Sequence, residues 1–194
     1  MQDLSLIRKT LRKKRRLLTT FDQRQAAQRV LSKLKQIPKF QHARSIGIYL
    51  DAFGEIQTQQ IIEECFHLNK KVYLPLICNM NQQLVWIHIT PSQYRNKRFA
   101  KHRLGMLEPM STRGTHVSNL DLLLIPLLAC DRLGSRIGMG GGFYDRTLAQ
   151  AKRKPYRLGL AHHFQLSDTS FKRAPWDQAL DGLITPEISL HFKR

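Results

Sequence analysis

Residues 121–146 read DLLLIPLLACDRLGSRIGMGGGFYDR. The stretch opens on an almost unbroken apolar run, residues 122–129, bounded by polar residues and far too short to span a bilayer. Such a run predicts a strand buried on both faces, as in a parallel sheet covered by helices. Five glycines follow within nine positions: Gly134, Gly138, Gly140, Gly141 and Gly142. Residues 143–152 then have helix-compatible composition, with Asp145 and Arg146 in the first turn. Strand, glycine-rich loop and helix is the order in which backbone N–H groups converge on an anion, because glycine lets a phosphate come close. No Gly-Lys-Ser/Thr closes the loop and the GxGxxG spacing is absent, so neither common nucleotide fingerprint applies. A glycine cluster is also compatible with a plain flexible turn. Arg132, Arg136 and Arg146 tilt the reading to phosphate, and Asp145 offers a hard oxygen ligand for Mg²⁺.

Upstream, residues 4–18 carry apolar positions at 4, 7, 11 and 18, a helical stripe, with seven basic residues between Arg8 and Arg16. Arg8, Arg12 and Arg16 stand at i, i+4 and i+8, so one face could grip a polyphosphate; a solvated basic face or a nucleic-acid arm reads equally from the charge. Thr20 to Gln23 has the T-x-x-Q form of a capping box and opens a second helix that Pro38 ends. Residues 45–50 (SIGIYL), 70–77 and 83–89 read as strands, the last as a hairpin partner. Glu55 falls in a strand-to-helix connection, at the carboxyl edge where open α/β sheets bind ligands. It is also the kind of acid favoured in a first helical turn. Residues 91–114 are polar, basic and rich in breakers, which predicts a long loop.

Downstream, residues 156–161 and 180–185 are the remaining strand-like segments, with Asp177 just before the second. Alternating strands and helices predict an α/β fold: a single three-layer domain over residues 1–194, Rossmann-like, with a mostly parallel sheet flanked by helices. Lys and Arg number 32 against 14 Asp and Glu, a formal charge of +18, which predicts an anionic partner without naming it. Nucleic acid is disfavoured, since no recognised binding motif accompanies the charge. Cys65, Cys78 and Cys130 lack CxxC spacing and read as buried free thiols. No apolar signal core and no membrane-length segment is present, so the expectation is a soluble, cytoplasmic monomer with no membrane partner.

Taken together, these residues resemble the 5-formyltetrahydrofolate cyclo-ligase family, also called methenyltetrahydrofolate synthetases. The resemblance spans nearly the whole chain. Its most specific part runs from Asp131 to Asp145, similar to the family pattern D-x-x-G-x-R-[LI]-G-x-G-x-G-[YF]-Y-D. Arg8-Lys-Thr-Leu-Arg12, Glu55-Ile-Gln-Thr58, Glu108-Pro109, Gln165 and Trp176-Asp177 support it. The resemblance implies an ATP- and Mg²⁺-dependent ligase that cyclises 5-formyltetrahydrofolate, with or without an extended glutamate tail, to 5,10-methenyltetrahydrofolate. It further implies ATP contacts from Arg8, Lys9, Arg12, Gly134, Ser135, Arg136, Ile137, Gly138, Met139, Gly140, Gly141, Gly142, Phe143 and Tyr144. Folate contacts would come from Leu50, Glu55 and, on the loop's other side, Met139, Gly140, Gly141, Gly142 and Phe143. Arg136, Tyr144 and Arg146 would be catalytic, and Asp145 with Asp177 would hold the metal. Phe143 stands where many members have tyrosine, and Trp176 where histidine is common.

Overall fold

The structure, a computed structural model, describes residues 4–111 and 113–193. A seven-stranded sheet runs through its centre. In spatial order the strands are Ser189–His191 (β12), Gly182–Ile184 (β11), Tyr156–Leu160 (β9), Leu122–Pro126 (β6), Ser45–Gly47 (β1), Lys71–Cys78 (β2) and Gln83–Ile89 (β3). β11, β9, β6, β1 and β2 are mutually parallel, and β12 and β3 add antiparallel edges. The mostly parallel sheet expected from the sequence is therefore present.

β6 explains why. Leu122 and Leu124 pack on one face with Val30 and Leu34 of Thr20–Lys35 (α2), Phe40 of Pro38–His42 (α3) and Ile61, Ile62 and Cys65 of Gln59–His67 (α4). Leu123 and Ile125 pack on the other with Trp86, Leu180 and Leu148 of Phe143–Ala149 (α6). Both phases of the strand alternation are buried, so a continuous apolar run is what the position requires. Among the described residues, no helix is long and apolar enough to cross a membrane. Cys65, Cys78 and Cys130 are free, with Cys78 only half-buried; burial pushes the Cys65 and Cys130 thiols up to about 12.

Several boundaries differ from the sequence expectations, each for a local reason. Residues 122–129 are not one strand. β6 stops at Pro126, and the Leu127 and Leu128 carbonyls accept from Gln165 Nε2 at 2.7 and 3.0 Å instead of from a neighbouring strand. The chain then enters a small second sheet of Ala129–Asp131 (β7), Arg136–Ile137 (β8) and Leu166–Ser167 (β10). The capping box is Thr19 with Asp22, one residue early, because Asp22 supplies the reciprocal acceptor. Pro75 sits inside β2, opposite Trp86, whose own N–H and C=O turn away to Thr115. That makes the pair a non-hydrogen-bonded one, and β1 has already ended on the other side, so no donor is needed at Pro75. Residues 91–114 are not irregular: Pro91–Arg95 (α5) leads to a hairpin of Phe99–Lys101 (β4) and Leu107–Pro109 (β5). Glu108 Oε1 accepts from Ile77 N at 3.1 Å and docks the hairpin on β2. α6 ends at Ala149, where the buried Arg157 takes the Leu148 and Ala151 carbonyls.

Candidate active site

The glycine-rich loop hangs on Asp131. This buried carboxylate accepts from the Leu133 and Ser135 N–H groups at 2.9 and 2.8 Å through Oδ1, and from Phe171 N at 2.8 Å through Oδ2. Gly134 closes the turn at φ +80°, where a Cβ would lie 2.8 Å from the Phe192 ring. The segment that carries the loop is thus fixed from behind. Ahead of it, Gly140 takes φ +107°, and a Cβ there would meet nothing within 4 Å. The loop is open on that side.

Arginines hold the loop's carbonyls. Leu4–Arg16 (α1) lies across it, with Arg8 Nε donating to Gly138 O at 3.2 Å and Arg12 Nη2 to Met139 O at 2.9 Å. Arg146 Nη2 donates to Gly141 O at 2.6 Å, and its Nε to Gln82 O at 3.1 Å. By contrast, among the described residues the N–H groups of residues 138–142 have no acceptor. The buried Nε atoms of Arg12 and Arg136 have none either. Exposed backbone donors and orphaned guanidinium N–H groups in one place fit an anion.

Arg136 is the loop's charged anchor. Its side chain is 4% exposed, donates to Asp145 Oδ1 at 2.6 Å and lies 5.8 Å from the centre of the Tyr144 ring. Gln178 N also donates to Asp145 Oδ1, at 3.0 Å, which brings the chain next to Asp177 alongside. Asp177 closes its own turn by accepting from Ala174 N at 2.7 Å. One oxygen of each carboxylate is engaged in this way. The two residues line the same cavity, and two hard oxygen donors beside phosphate and water fit the habits of Mg²⁺. Among the described residues no group of three or more His, Cys, Asp or Glu side chains could hold a metal unaided.

The other part of the site is built on side chains. After β1 the chain runs through Tyr49 and Leu50 into the Asp51–Glu55 turn. Glu55 Oε2 accepts from Ala52 N at 3.1 Å, and Oε1 lies 3.7 Å from Nη1 of Arg15. The Glu55 side chain is 11% exposed and that of Arg15 1%. Burial pushes the Glu55 carboxyl up to about 7, against the pull of Arg15 and the Ala52 N–H. Burial likewise lowers Arg15 and raises Tyr49 and Tyr144 well above the usual tyrosine range. His162, 4% exposed, has its Nε2 3.1 Å from Gly54 O, and burial takes it down to about 4.

These parts meet in one cavity of about 940 Å³ at the carboxyl edge of the sheet. It lies at the upper end of the roughly 300–1,000 Å³ usual for ligand pockets. Arg8, Arg12, Leu50, Glu55, Ser135, Arg136, Ile137, Gly138, Met139, Gly140, Gly141, Gly142, Phe143, Tyr144, Asp145, Arg146 and Asp177 all line it. Lys9 and Gly134 do not: Lys9 is solvent-exposed on α1, and Gly134 is packed behind the loop. Sequence reasoning missed Arg15, although Arg8, Arg12 and Arg15 stand at i, i+4 and i+7, the spacing of a buried helix face. It also missed Arg173, which donates to Ser135 Oγ at 2.8 Å and to Leu133 O at 2.6 Å; nothing in the sequence marked it.

The family model for 5-formyltetrahydrofolate cyclo-ligases matches residues 1–186. The 5-formyltetrahydrofolate cyclo-ligase of Escherichia coli K12 is 33% identical over 180 residues, covering 91% of this chain and 96% of that protein. The Haemophilus influenzae enzyme of the same name is 34% identical over 182 residues, covering 92% and 95%. The solved structure of Aquifex aeolicus 5,10-methenyltetrahydrofolate synthetase superposes with a TM-score of 0.84 at 25% identity, covering 100% of this chain and 94% of that one. A Mycoplasma pneumoniae 5,10-methenyltetrahydrofolate synthetase shares the fold, with a TM-score of 0.76 at 23% identity, covering 96% and 100%. The glycine-rich loop, the arginines across it and Glu55 all fall inside the matched region, and the chain belongs to the 5-formyltetrahydrofolate cyclo-ligase family.

Proposed function

We infer that this chain is an ATP-dependent ligase that cyclises 5-formyltetrahydrofolate to 5,10-methenyltetrahydrofolate, releasing ADP and phosphate. The observation that carries this reading is one cavity with two kinds of wall. N–H groups without an acceptor among the described residues and arginines crowd around residues 138–142, while Tyr49, Leu50 and the Glu55 carboxylate line another part. A polyphosphate suits the first and a flat, partly apolar ring system the second.

The chemistry explains why both belong together. A formamide carbonyl is a poor electrophile, and oxide is a poor leaving group from the cyclised adduct. Transfer of the γ-phosphoryl group from ATP to the formyl oxygen, with ADP leaving, answers both needs: N10 then attacks the formyl carbon and loses its proton to water, and the C–O bond breaks with phosphate as leaving group. This asks the protein for positioning and charge neutralisation more than for a nucleophile. Residues 138–144, with Arg8, Arg12 and Ser135, hold the nucleotide. Arg136 and Arg146 balance the charge of the transferring group, and Tyr144, beside Arg136, orients it. Lys9 contributes long-range attraction, and Gly134 acts through the turn it permits. Asp145 and Asp177 hold Mg²⁺, which neutralises phosphate charge when bound. Leu50 and Glu55 contact the folate, with Met139 and Phe143 reaching it from the loop. An extended glutamate tail gives part of the +18 charge a use.

Absorbance at the methenyl product's band, after mixing protein, Mg²⁺-ATP and 5-formyltetrahydrofolate, tests the reading. A rise that requires ATP is expected. No rise, with either ligand still bound, would leave a binding protein that has kept the fold without the reaction.

A further inference from the structure

The last turn of α1 carries an arginine for which the reaction outlined above has no task. Arg15 is fully enclosed, yet its guanidinium is sparsely bonded. Nη1 lies 3.4 Å from Leu127 O and 3.7 Å from Glu55 Oε1, and Nη2 lies 3.9 Å from the Met139 Sδ. Among the described residues its Nε has no acceptor. A Cβ on Gly54 would come within 2.7 Å of the Arg15 carbonyl, so the helix end and the Glu55 turn are in van der Waals contact. Desolvating such a cation is costly, and well-packed apolar residues often replace a buried ion pair with no loss of stability. Stability alone therefore gives no reason for a cation here. Its placement gives one: it touches the carboxylate on one side of the cavity and the loop that carries Gly140 on the other.

We propose that Arg15 is a positioning residue, which orients the Glu55 carboxylate toward the cavity and ties it, through Met139, to the glycine-rich loop. Around Glu55, α1 contributes Arg15, with Arg12 beside it. The residue's own turn contributes Asp51 and the Ala52 N–H, the end of β1 contributes Tyr49, and α6 contributes Tyr144. His162 approaches from behind through Gly54 O. Among the described residues, Arg15 is the one cation within ion-pair distance of Glu55. Loss of Arg15 removes the main force that favours the carboxylate anion there. The inference rests on the reading that Glu55 meets the folate.

The test compares wild type with Arg15→Lys and Arg15→Met across pH 5.5–9, measuring kcat/KM for 5-formyltetrahydrofolate, ATP affinity by calorimetry and thermal melting. Arg15→Met is expected to lose about tenfold or more in kcat/KM near neutral pH, with the acid limb of the profile moved up by about one unit. Arg15→Lys recovers most of both, and ATP affinity stays within about threefold of wild type. An unmoved acid limb, or a loss that follows only melting or ATP affinity, overturns the proposal. Should Arg15→Met fail to fold, the smaller shift in Arg15→Lys decides. A wild type without cyclisation would fell the proposed reaction and not this coupling. In that event, carbon-13 titration of the glutamate carboxylates decides. The resonance lost in Glu55→Gln must titrate at higher pH in Arg15→Met than in wild type, and an unmoved one refutes the coupling.

Discussion

Along residues 138–142 the cavity wall is built of backbone N–H donors that, among the described residues, have no acceptor, with the neighbouring carbonyls drawn off by Arg8, Arg12 and Arg146. Around Glu55 the wall is built of side chains, and the backbone only supports them: Ala52 N donates to the carboxylate and Gly54 O meets His162. The two regions line one cavity and respond to different insults. A backbone cradle is sensitive to any Cβ that blocks the approach, and indifferent to pH. A buried carboxylate beside a buried cation is sensitive to charge and to pH, and tolerant of small changes in shape.

Asp145→Asn is the hardest blow to the loop side. The amide oxygen can still accept from Arg136 and from Gln178 N, so melting should fall by only a few degrees. The lost charge should cut kcat by about 100-fold or more, the scale seen when one electrostatic contact to a transition state is deleted. Turnover near the wild-type rate would remove Asp145 from the metal and phosphate site.

Gly140→Val attacks the same wall without touching a charge. At φ +107° a β-branched residue is strained by roughly 1–3 kcal/mol. The new side chain projects into the open space in front of the loop, so ATP affinity measured by calorimetry should drop by about tenfold or more, with a smaller loss of folate affinity. Unchanged ATP affinity would mean that the anion sits elsewhere. Glu55→Gln is the matching test of the other wall. KM for the folate should rise by about tenfold, the worth of one charge-assisted hydrogen bond, with ATP binding spared. If both variants lose both ligands equally, the division between the walls is wrong.

The same contrast governs what could be read from the sequence. β6 was legible because both faces are buried, which forces an uninterrupted apolar run. The loop was legible because turns at positive φ, as at Gly134, Gly140 and Gly142, leave their mark as glycine. Residues 127 and 128 misled, since Leu127 and Leu128 are as apolar as β6 although their carbonyls are already claimed by Gln165. The hairpin at residues 99–109 was hidden because its strands are three residues each, too short to display a period, and polar, basic residues flank them. Arg15 was the most costly omission. In a helix with seven basic residues, composition does not say which one points inward, and the i, i+4, i+8 spacing led to the 8/12/16 face. Burial of a charge is a tertiary fact.

The smallest effect is the most diagnostic of the second wall, because two buried groups there titrate in opposite senses. His162 is lowered from 6.5 to about 4, so the folded state binds fewer protons than the unfolded one between those values, and stability falls as the pH drops through that window. Glu55 is raised from 4.5 to about 7, so the folded state binds more protons in nearly the same window, and stability rises as the pH drops. From pH 7 to pH 5.5 each contributes about 1 kcal/mol, and the two nearly cancel in the wild type. Removing either one exposes the other. Glu55→Gln should lose about 2–4 °C in melting temperature on acidification to pH 5.5, and His162→Gln should gain a similar amount. A flat response in both variants would mean that neither group is shifted, and that this wall of the cavity is wetter than its packing indicates.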